Sequence, residues 1–574
     1  MLSNSIFGGA LAAAYLTLLM LHLNPRVPLT ASGVVPLAAT LMLSYGLHAS
    51  AIFYVVSVVR QLVTGPVSPG WISLRVVTWR SALLAGLAAS VSWLNASGFR
   101  AALEPSVYDA LVRTAFAFAT AAAVFLLLAL THARSGRARA LVAWVFALTV
   151  VASMALPLAW RGPGLYQNAQ SHRLVFGDAV TASASAPRVT LLLLEGASLD
   201  VIAPAVAEGR LPNFGRLLDE GASMHLATIR PSQPEPVWAS AMTGKWPPKH
   251  GIRSSAVYYP MAGGVALRLL PDYCFAQALV RFGFFRVEPQ APDALRARTL
   301  WQILTSRGID SGIIGLPLTQ PPEPIRGFIV SDRFSRSGEP AVELDERPAV
   351  YPQDMLERAR ESLSSVAAVP DAVVHADMLP PGERGSAALV ADRVYHDLAE
   401  RLPGVRDVRL LAVRYPGLAA VGRYYLRYAT PQAFGDVSAS ERQRFGQVLE
   451  DYYAYIDRLV GDAMALRDDD LLLVVSGFGM EPLTPGQRLA ERLFGDPRSS
   501  GTHERAPEGF LFAYGSMVAP GRAGRGALVD VTPTVLYFLG LPVARDMDGF
   551  ARTDIFNRPF NTQRTITFIP TYDR

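Results

Sequence analysis

The chain has few residues of two kinds, and each scarcity restricts what it can do. It contains one cysteine, Cys274, in 574 residues, so no disulfide forms within the chain and the sequence does not indicate an oxidising or reducing compartment. Lysine occurs only as Lys245 and Lys249, and the net charge of +5 comes from scattered arginines without a dense basic run. We therefore expect no nucleic-acid partner, because proteins that bind nucleic acids concentrate positive charge on one face.

Apolar residues are abundant, at 51% of the chain with a mean hydropathy of +0.24. The excess lies in the N-terminal part of the chain. Residues 1–160 are predicted to form a transmembrane domain of about five helices, because most of the apolar segments approach the ~20 residues that cross a bilayer. No segment carries a central carboxylate or lysine, which argues against a transporter or channel. The predicted segments are 6–23, 34–59, 81–94, 110–130 and 141–160.

The arginines between these segments predict their orientation. Two loops carry three arginines each, whereas the loop between segments one and two carries only Arg26. By the positive-inside tendency the two richer loops are cytoplasmic, which places everything after the fifth segment outside. The arginines of the richer loops are Arg60, Arg75, Arg80, Arg134, Arg137 and Arg139. We therefore predict a multi-pass protein of a bacterial inner or plasma membrane, in contact with its lipid bilayer, with an extracytoplasmic large domain.

The rest of the chain divides into a linker and one large domain. Residues 161–188 lack clear periodicity and are predicted to be the linker. Residues 189–574 alternate short apolar runs with helical stretches, which predicts an α/β fold with a mostly parallel sheet covered on both faces. Within it, residues 253–298 are aromatic-rich and are predicted to be an inserted cap, packed in the core or facing the membrane or a partner.

Several motifs follow the predicted strands in a recognisable order: LLLLEGASLD, TGKWPPKHGI, YPGLAAVGRYYLRY, VVSGFGM and SGTHERAPEGF. Together they resemble the type I phosphodiesterase/nucleotide pyrophosphatase branch of the alkaline phosphatase superfamily, over residues 189–556. The resemblance implies an alkaline phosphatase-like three-layer sandwich. It also implies a hydrolase in which two cations, usually zinc, clamp a phosphoryl group and activate a hydroxyl nucleophile.

The residues at the family's functional positions depart from that chemistry. The nucleophile position is Pro234, which has no hydroxyl. Of the metal-ligand positions only His503, in the Gly-Thr-His element, is retained, and Glu195 is a conservative replacement for aspartate. The ligand positions are Glu195, Ala419, Arg423, Gly477, Phe478 and His503. The resemblance implies an aspartate in place of Ala419 and Gly477, and a histidine in place of Arg423 and Phe478. A zinc site uses three or four protein ligands, so we expect no intact catalytic residue and no bound metal.

Three residues suggest further roles for the altered site. Opposite charges at Glu195 and Arg423 predict an ion pair that replaces the cations as a structural element. Ser232 lies two residues before Pro234 and could act as a displaced nucleophile, although a hydroxyl without a base or metal is inert.

The preferred hypothesis is a pseudoenzyme that acts as a binding or assembly module at the bacterial envelope. Its partner would be a phosphorylated or glycan-linked envelope ligand or another protein. The alternative is an active phosphodiesterase or phosphotransferase that uses a zinc pair with Glu195 and His503.

Overall fold

The computed structural model describes residues 1–64, 72–134, 139–164, 187–336, 348–367, 379 and 385–573. The chain forms two compact units. The first comprises Met1–Asn168 and Ala256–Pro289, and the second comprises Ala169–Ser255 and Gln290–Arg574. Most of the predicted linker, namely 165–186, lies outside the described residues.

Helices and strands alternate along the described part of the second unit, as the sequence predicts. The strands are β1 (Val189–Leu194), β2 (Ala222–Ala227), β3 (Ala256–Pro260), β4 (Phe285–Pro289), β5 (Ser311–Ile314), β6 (Gly327–Val330), β7 (Val350–Tyr351), β8 (Leu410–Tyr415), β9 (Leu471–Phe478), β10 (Glu481–Pro482), β11 (Gly501–Thr502), β12 (Glu508–Tyr514), β13 (Gly521–Arg522), β14 (Gly526–Ala527), β15 (Val543–Ala544) and β16 (Phe568–Ile569). Of these, β3 and β4 belong to the first unit. The helices of the second unit are Leu199–Ala207, Pro212–Glu220, Pro234–Thr243, Pro247–His250, Leu300–Ser306, Leu356–Ala367, Ser386–Arg401, Gly417–Ala429, Ala439–Phe445, Val448–Ala463, Pro485–Phe494, Val531–Phe538 and Arg558–Gln563.

The first unit contains long apolar helices that are compatible with membrane anchoring. Among the described residues, five are long and apolar enough to cross a bilayer. The second of them includes a π-helical turn at Met42–Gly46, and the third extends well beyond the short segment predicted from sequence. Several hydroxyl side chains inside them donate to the carbonyl four residues earlier, as Thr17 does to Ala13, which satisfies those polar groups within the helix. The spans are Leu2–Leu23, Ala31–Val63, Leu74–Gly98, Pro105–Thr131 and Ala140–Arg161.

The aromatic-rich insertion groups with these helices rather than with the second unit. Its strands β3 and β4 pair antiparallel and enclose the short helix Ala276–Arg281. The Asn24 side chain accepts hydrogen bonds from the backbone N–H groups of Arg268 and Leu269, at 2.7 and 3.0 Å, and donates one to the Leu269 carbonyl at 2.8 Å. Asn95 pairs in the same way with the Asp272 backbone. The sequence predicts residues 253–298 as a cap inserted in the large domain, whereas the structure assigns Ala256–Pro289 to the first unit.

The second unit is built on a ten-stranded sheet with the order β13-β2-β12-β9-β1-β8-β5-β6-β7, in which β14 also pairs with β2. Its centre, β9-β1-β8-β5-β6, is parallel, and β2, β12 and β7 supply antiparallel pairs. Along β1, Leu192 and Leu194 belong to one apolar core, and Leu191 and Leu193 belong to the other. Helices cover both cores, so the predicted α/β sandwich with a mostly parallel sheet is confirmed.

Candidate active-site cleft at the strand ends

The family positions converge where the central parallel strands end. β1 pairs with β8 and β9 in a register that sets Leu194 opposite both Tyr415 and Ser476. Glu195 follows β1 directly, and Gly477 with Phe478 ends β9. Because carboxyl ends of parallel strands meet at one edge of a sheet, these residues share the cleft in which α/β proteins usually bind ligands.

Glu195 lies in a buried ion pair with Arg414, the penultimate residue of β8. The Nε of Arg414 donates to Oε1 at 2.6 Å and Nη2 donates to Oε2 at 3.0 Å. The indole Nε1 of Trp238 donates a third hydrogen bond to Oε1 at 2.5 Å. Only 3% of the Glu195 side chain and 4% of the Arg414 side chain are exposed. Both carboxylate oxygens are thus engaged by a two-pronged guanidinium, the strongest ion-pair geometry that proteins use.

The predicted ion pair between Glu195 and Arg423 is wrong in its partner. Arg423 lies on the helix Gly417–Ala429, and its guanidinium is 3.7 Å from the Glu491 carboxylate. Arg414 takes its place because β8 lies beside β1 in a register that puts Arg414 opposite Leu193. One signal was visible in the sequence: Arg414 is the single charged residue in the otherwise apolar strand LLAVRY.

The helix Pro234–Thr243 closes the place where the family has an aspartate on β9. A Cβ atom added at Gly477 would lie 2.4 Å from Cγ1 of Val237 and 3.4 Å from the Trp238 ring. The first of these distances is shorter than real Cβ contacts allow, so a larger residue at 477 would force the Val237 side chain to move. Pro234 occupies the first turn of the helix, where its missing N–H is no loss, and it offers no nucleophile.

The last two positions, Phe478 and His503, pack against each other. Phe478 is fully buried, and its ring centroid is 4.8 Å from that of His503. Nδ1 of His503 is 2.7 Å from the Ser232 carbonyl oxygen, so this nitrogen carries the proton and donates it. The Ser232 hydroxyl donates to the Ile229 carbonyl at 2.7 Å. This engagement disfavours the hypothesis that Ser232 is a displaced nucleophile.

Ala419 lies against the turn that carries Glu195. Gly196 has a φ of +81°, and a Cβ atom there would lie 2.8 Å from the Ala419 Cα. The close approach requires glycine at 196 and is easiest with a small residue at 419. The structure therefore brings Glu195, Ala419, Gly477, Phe478 and His503 to one region.

A sequence profile of type I phosphodiesterases/nucleotide pyrophosphatases matches residues 189–500, more than half of the chain. The chain belongs to the type I phosphodiesterase/nucleotide pyrophosphatase family. No curated protein matches the sequence significantly. The match covers the strands that carry Glu195 and Gly477 and ends just before His503.

The donor set of this family member does not fit a pair of cations. The six ligand positions supply one carboxylate, already bonded to Arg414 and Trp238, and one imidazole. A cation at Glu195 would also lie beside the Arg414 guanidinium, whose charge opposes it. Tight sites use three or four protein ligands for each ion. That the cleft holds no metal stays a prediction.

Sequence reasoning missed a second buried carboxylate, Asp392, on the helix Ser386–Arg401. Its Oδ1 accepts the backbone N–H of Gly417 at 3.0 Å, and its Oδ2 accepts the Tyr452 hydroxyl at 2.9 Å. Burial raises the pKa of Asp392 to about 8, although both hydrogen bonds and the Arg414 charge act to lower it. The side chain thus caps the helix Gly417–Ala429 that carries Ala419 and Arg423.

The raised pKa of Asp392 predicts how the stability of the second unit depends on pH. Below about pH 4 the carboxyl is protonated whether the chain is folded or unfolded, so its contribution is fully present. Between about pH 4 and pH 8 the unfolded chain loses this proton and the folded chain keeps it, so the free energy of unfolding falls as the pH rises through this range.

Replacing Asp392 by asparagine is expected to remove that slope, because an amide does not titrate and the Tyr452 hydroxyl can turn to accept from it. Thermal unfolding between pH 5 and pH 8 measures the effect, with the exposed Asp469→Asn as the control. We expect the wild type to lose stability relative to Asp392→Asn as the pH rises. An identical pH dependence of the two proteins would contradict this account.

Proposed function

We propose that this chain is a membrane-anchored, non-hydrolytic member of its family that acts as a binding or assembly module at the bacterial envelope. One observation carries the proposal: both oxygens of Glu195 are bonded to protein donors, Arg414 and Trp238, in a buried pocket. The guanidinium of Arg414 thus neutralises the Glu195 carboxylate, as a bound cation would.

The energetics of the ion pair support a cleft without metal. Binding a cation to Glu195 requires breaking its bonds to Arg414, which is 4% exposed and would remain buried without its carboxylate. Breaking a buried ion pair in this way costs about 3–5 kcal/mol. The other ligand positions offer no second carboxylate to offset that loss, since they hold alanine, arginine, glycine, phenylalanine and one histidine.

The nucleophile position supports the same conclusion independently of the metal. Pro234 begins its helix with neither a hydroxyl nor an N–H for a developing oxyanion. The Ser232 hydroxyl, the nearest alternative in sequence, already donates to the Ile229 carbonyl. A covalent phospho-enzyme of the family's kind therefore has no acceptor at this position.

The membrane part of the proposal is supported by the first unit. Its five apolar helices are long enough to cross a bilayer, and the arginines near the ends of the second to fifth of these helices favour an extracytoplasmic second unit. The insertion in the same unit exposes large aromatic side chains at Tyr273, Phe275 and Phe282, which suit the interface between lipid and water. Reporter fusions after Trp160 test the orientation.

The ligand is expected to be a phosphorylated or glycan-linked envelope component, or a partner protein, and no nucleic acid. The scattered arginines of the chain favour an anionic group without forming the dense basic face that nucleic acids need.

The activity test uses full-length protein in detergent with bis-p-nitrophenyl phosphate and added zinc or manganese. We expect no metal-dependent release of p-nitrophenol beyond the rate of His503→Ala prepared in parallel, because the cleft lacks both nucleophile and ligands. Metal-dependent turnover that disappears in His503→Ala would contradict the proposal and favour the active phosphodiesterase.

A further inference from the structure

A cluster of metal-ligating side chains lies outside the cleft, on two neighbouring helices. His396 and Glu400 are one turn apart on the helix Ser386–Arg401, and Asp462 lies near the end of the helix Val448–Ala463. The Nε2 atom of His396 is 3.4 Å from Oδ2 of Asp462 and 3.7 Å from Oε1 of Glu400. One ligand atom from each residue lies within 4.8 Å of the others.

These separations match the spacing of ligands around a tetrahedral ion. Two ligands of a tetrahedral zinc lie about 3.4 Å apart, given Zn–N and Zn–O bonds of ~2.0–2.1 Å. The two distances from His396 are close to that value. The carboxylates of Glu400 and Asp462 are 61% and 57% exposed, so small rotations of either side chain can close the third separation.

The imidazole is held in the orientation that a metal ligand needs. Nδ1 of His396 is 3.2 Å from the hydroxyl of Tyr415, the last residue of β8, which is itself buried. Metal-binding histidines commonly use one ring nitrogen for such a bond and direct the other at the ion. Here the other nitrogen, Nε2, is the one that lies near both carboxylates.

The surroundings of the cluster allow a cation to enter. All three residues line an open pocket of about 560 Å³, so an ion and its remaining water ligands have access from solvent. The negative charge beside the His396 imidazole comes from the carboxylates of Glu400 and Asp462. The third carboxylate of the lining, Asp397, forms an ion pair with Arg401. The charged lining residues besides Glu400 and Asp462 are Arg393, Asp397 and Arg458.

We propose that His396, Glu400 and Asp462 bind a divalent first-row cation of the zinc class. These residues supply three protein ligands, and water from the pocket fills the remaining coordination positions. One imidazole and two carboxylates form a donor set that suits zinc, whereas calcium and magnesium prefer oxygen ligands alone. The site differs from the family's cleft in every ligand, so it stands whether or not the cleft is active.

Zinc titration of metal-stripped, full-length protein against a chromophoric chelator tests the proposal. We expect one zinc per wild-type chain, and a loss of affinity of more than 100-fold in His396→Ala, which lacks a direct ligand. Tyr415→Phe is expected to lose about 10–100-fold, because Tyr415 only positions the imidazole. His503→Ala, which changes the cleft alone, and Glu357→Gln, an exposed helical carboxylate elsewhere, should bind as the wild type does.

Glu400→Gln and Asp462→Asn keep the test decisive if His396→Ala fails to fold, because both change exposed side chains. Each should weaken zinc binding at least 10-fold. Cobalt substitution gives a second readout, because a tetrahedral nitrogen and oxygen site yields strong visible absorption bands. Wild-type protein that binds no zinc, or His396→Ala that binds it unchanged, would overturn the proposal. Zinc lost only in His503→Ala would place the metal in the cleft instead.

Discussion

Replacing Arg414 by alanine is expected to lower the free energy of unfolding of the second unit by about 3–5 kcal/mol. The substitution leaves the Glu195 carboxylate buried with a single donor, the Trp238 indole, in place of a guanidinium that holds both oxygens. Denaturant unfolding of the full-length protein, followed by tryptophan fluorescence and circular dichroism, measures the change.

The matched control is Arg216→Ala, which removes an ion pair with Glu220 whose side chains are 51% and 53% exposed. That pair should contribute at most about 1 kcal/mol. The double variant Glu195→Gln with Arg414→Met should recover much of the loss, because it leaves no uncompensated charge. Equal effects of Arg414→Ala and Arg216→Ala would show that the buried pair does not support the cleft.

Restoring the family's aspartate at Gly477 is expected to destabilise the protein without restoring a metal site. A Cβ atom there meets Cγ1 of Val237 at 2.4 Å, and the carboxylate beyond it would be buried near the Trp238 ring. Overpacking of this kind costs about 1–3 kcal/mol, and an unpaired buried charge adds several more. Thermal unfolding and zinc binding of Gly477→Asp measure the two expectations.

Two further variants separate the steric cost of Gly477→Asp from the cost of its buried charge. Gly477→Ala carries the steric cost without the charge, and Gly477→Asp combined with Val237→Ala relieves the collision but keeps the charge. We expect the first to be less destabilised than Gly477→Asp, and the second to remain less stable than the wild type. A stable Gly477→Asp that gains metal-dependent hydrolysis would contradict the description of a closed cleft.

The sequence predicted the elements that depend on local pattern. The continuous apolar run of β9 and the polar residues that follow each central strand placed Glu195 and Gly477 correctly at one edge of the sheet. The apolar segments near the start likewise correspond to the five long helices. Both signals are properties of short windows, in which hydrophobic periodicity directly reflects burial.

Features that depend on pairing across the fold could not be predicted in this way. The partner of Glu195 is Arg414 rather than Arg423 because the register of β8 against β1 decides which guanidinium lies beside the carboxylate. Asp392 caps a helix 25 residues further along the chain, and Asn24 holds a backbone segment some 245 residues away. No local pattern specifies such contacts, so the grouping of the insertion with the first unit was missed as well.

Anomalous diffraction tests most directly whether the cleft beside Glu195 holds paired cations. Crystals of the full-length protein grown with zinc are measured on both sides of the zinc absorption edge. We predict no anomalous peak within reach of the Glu195 carboxylate, and one peak between His396, Glu400 and Asp462. Two well-occupied peaks about 4 Å apart beside Glu195 and His503 would contradict the account.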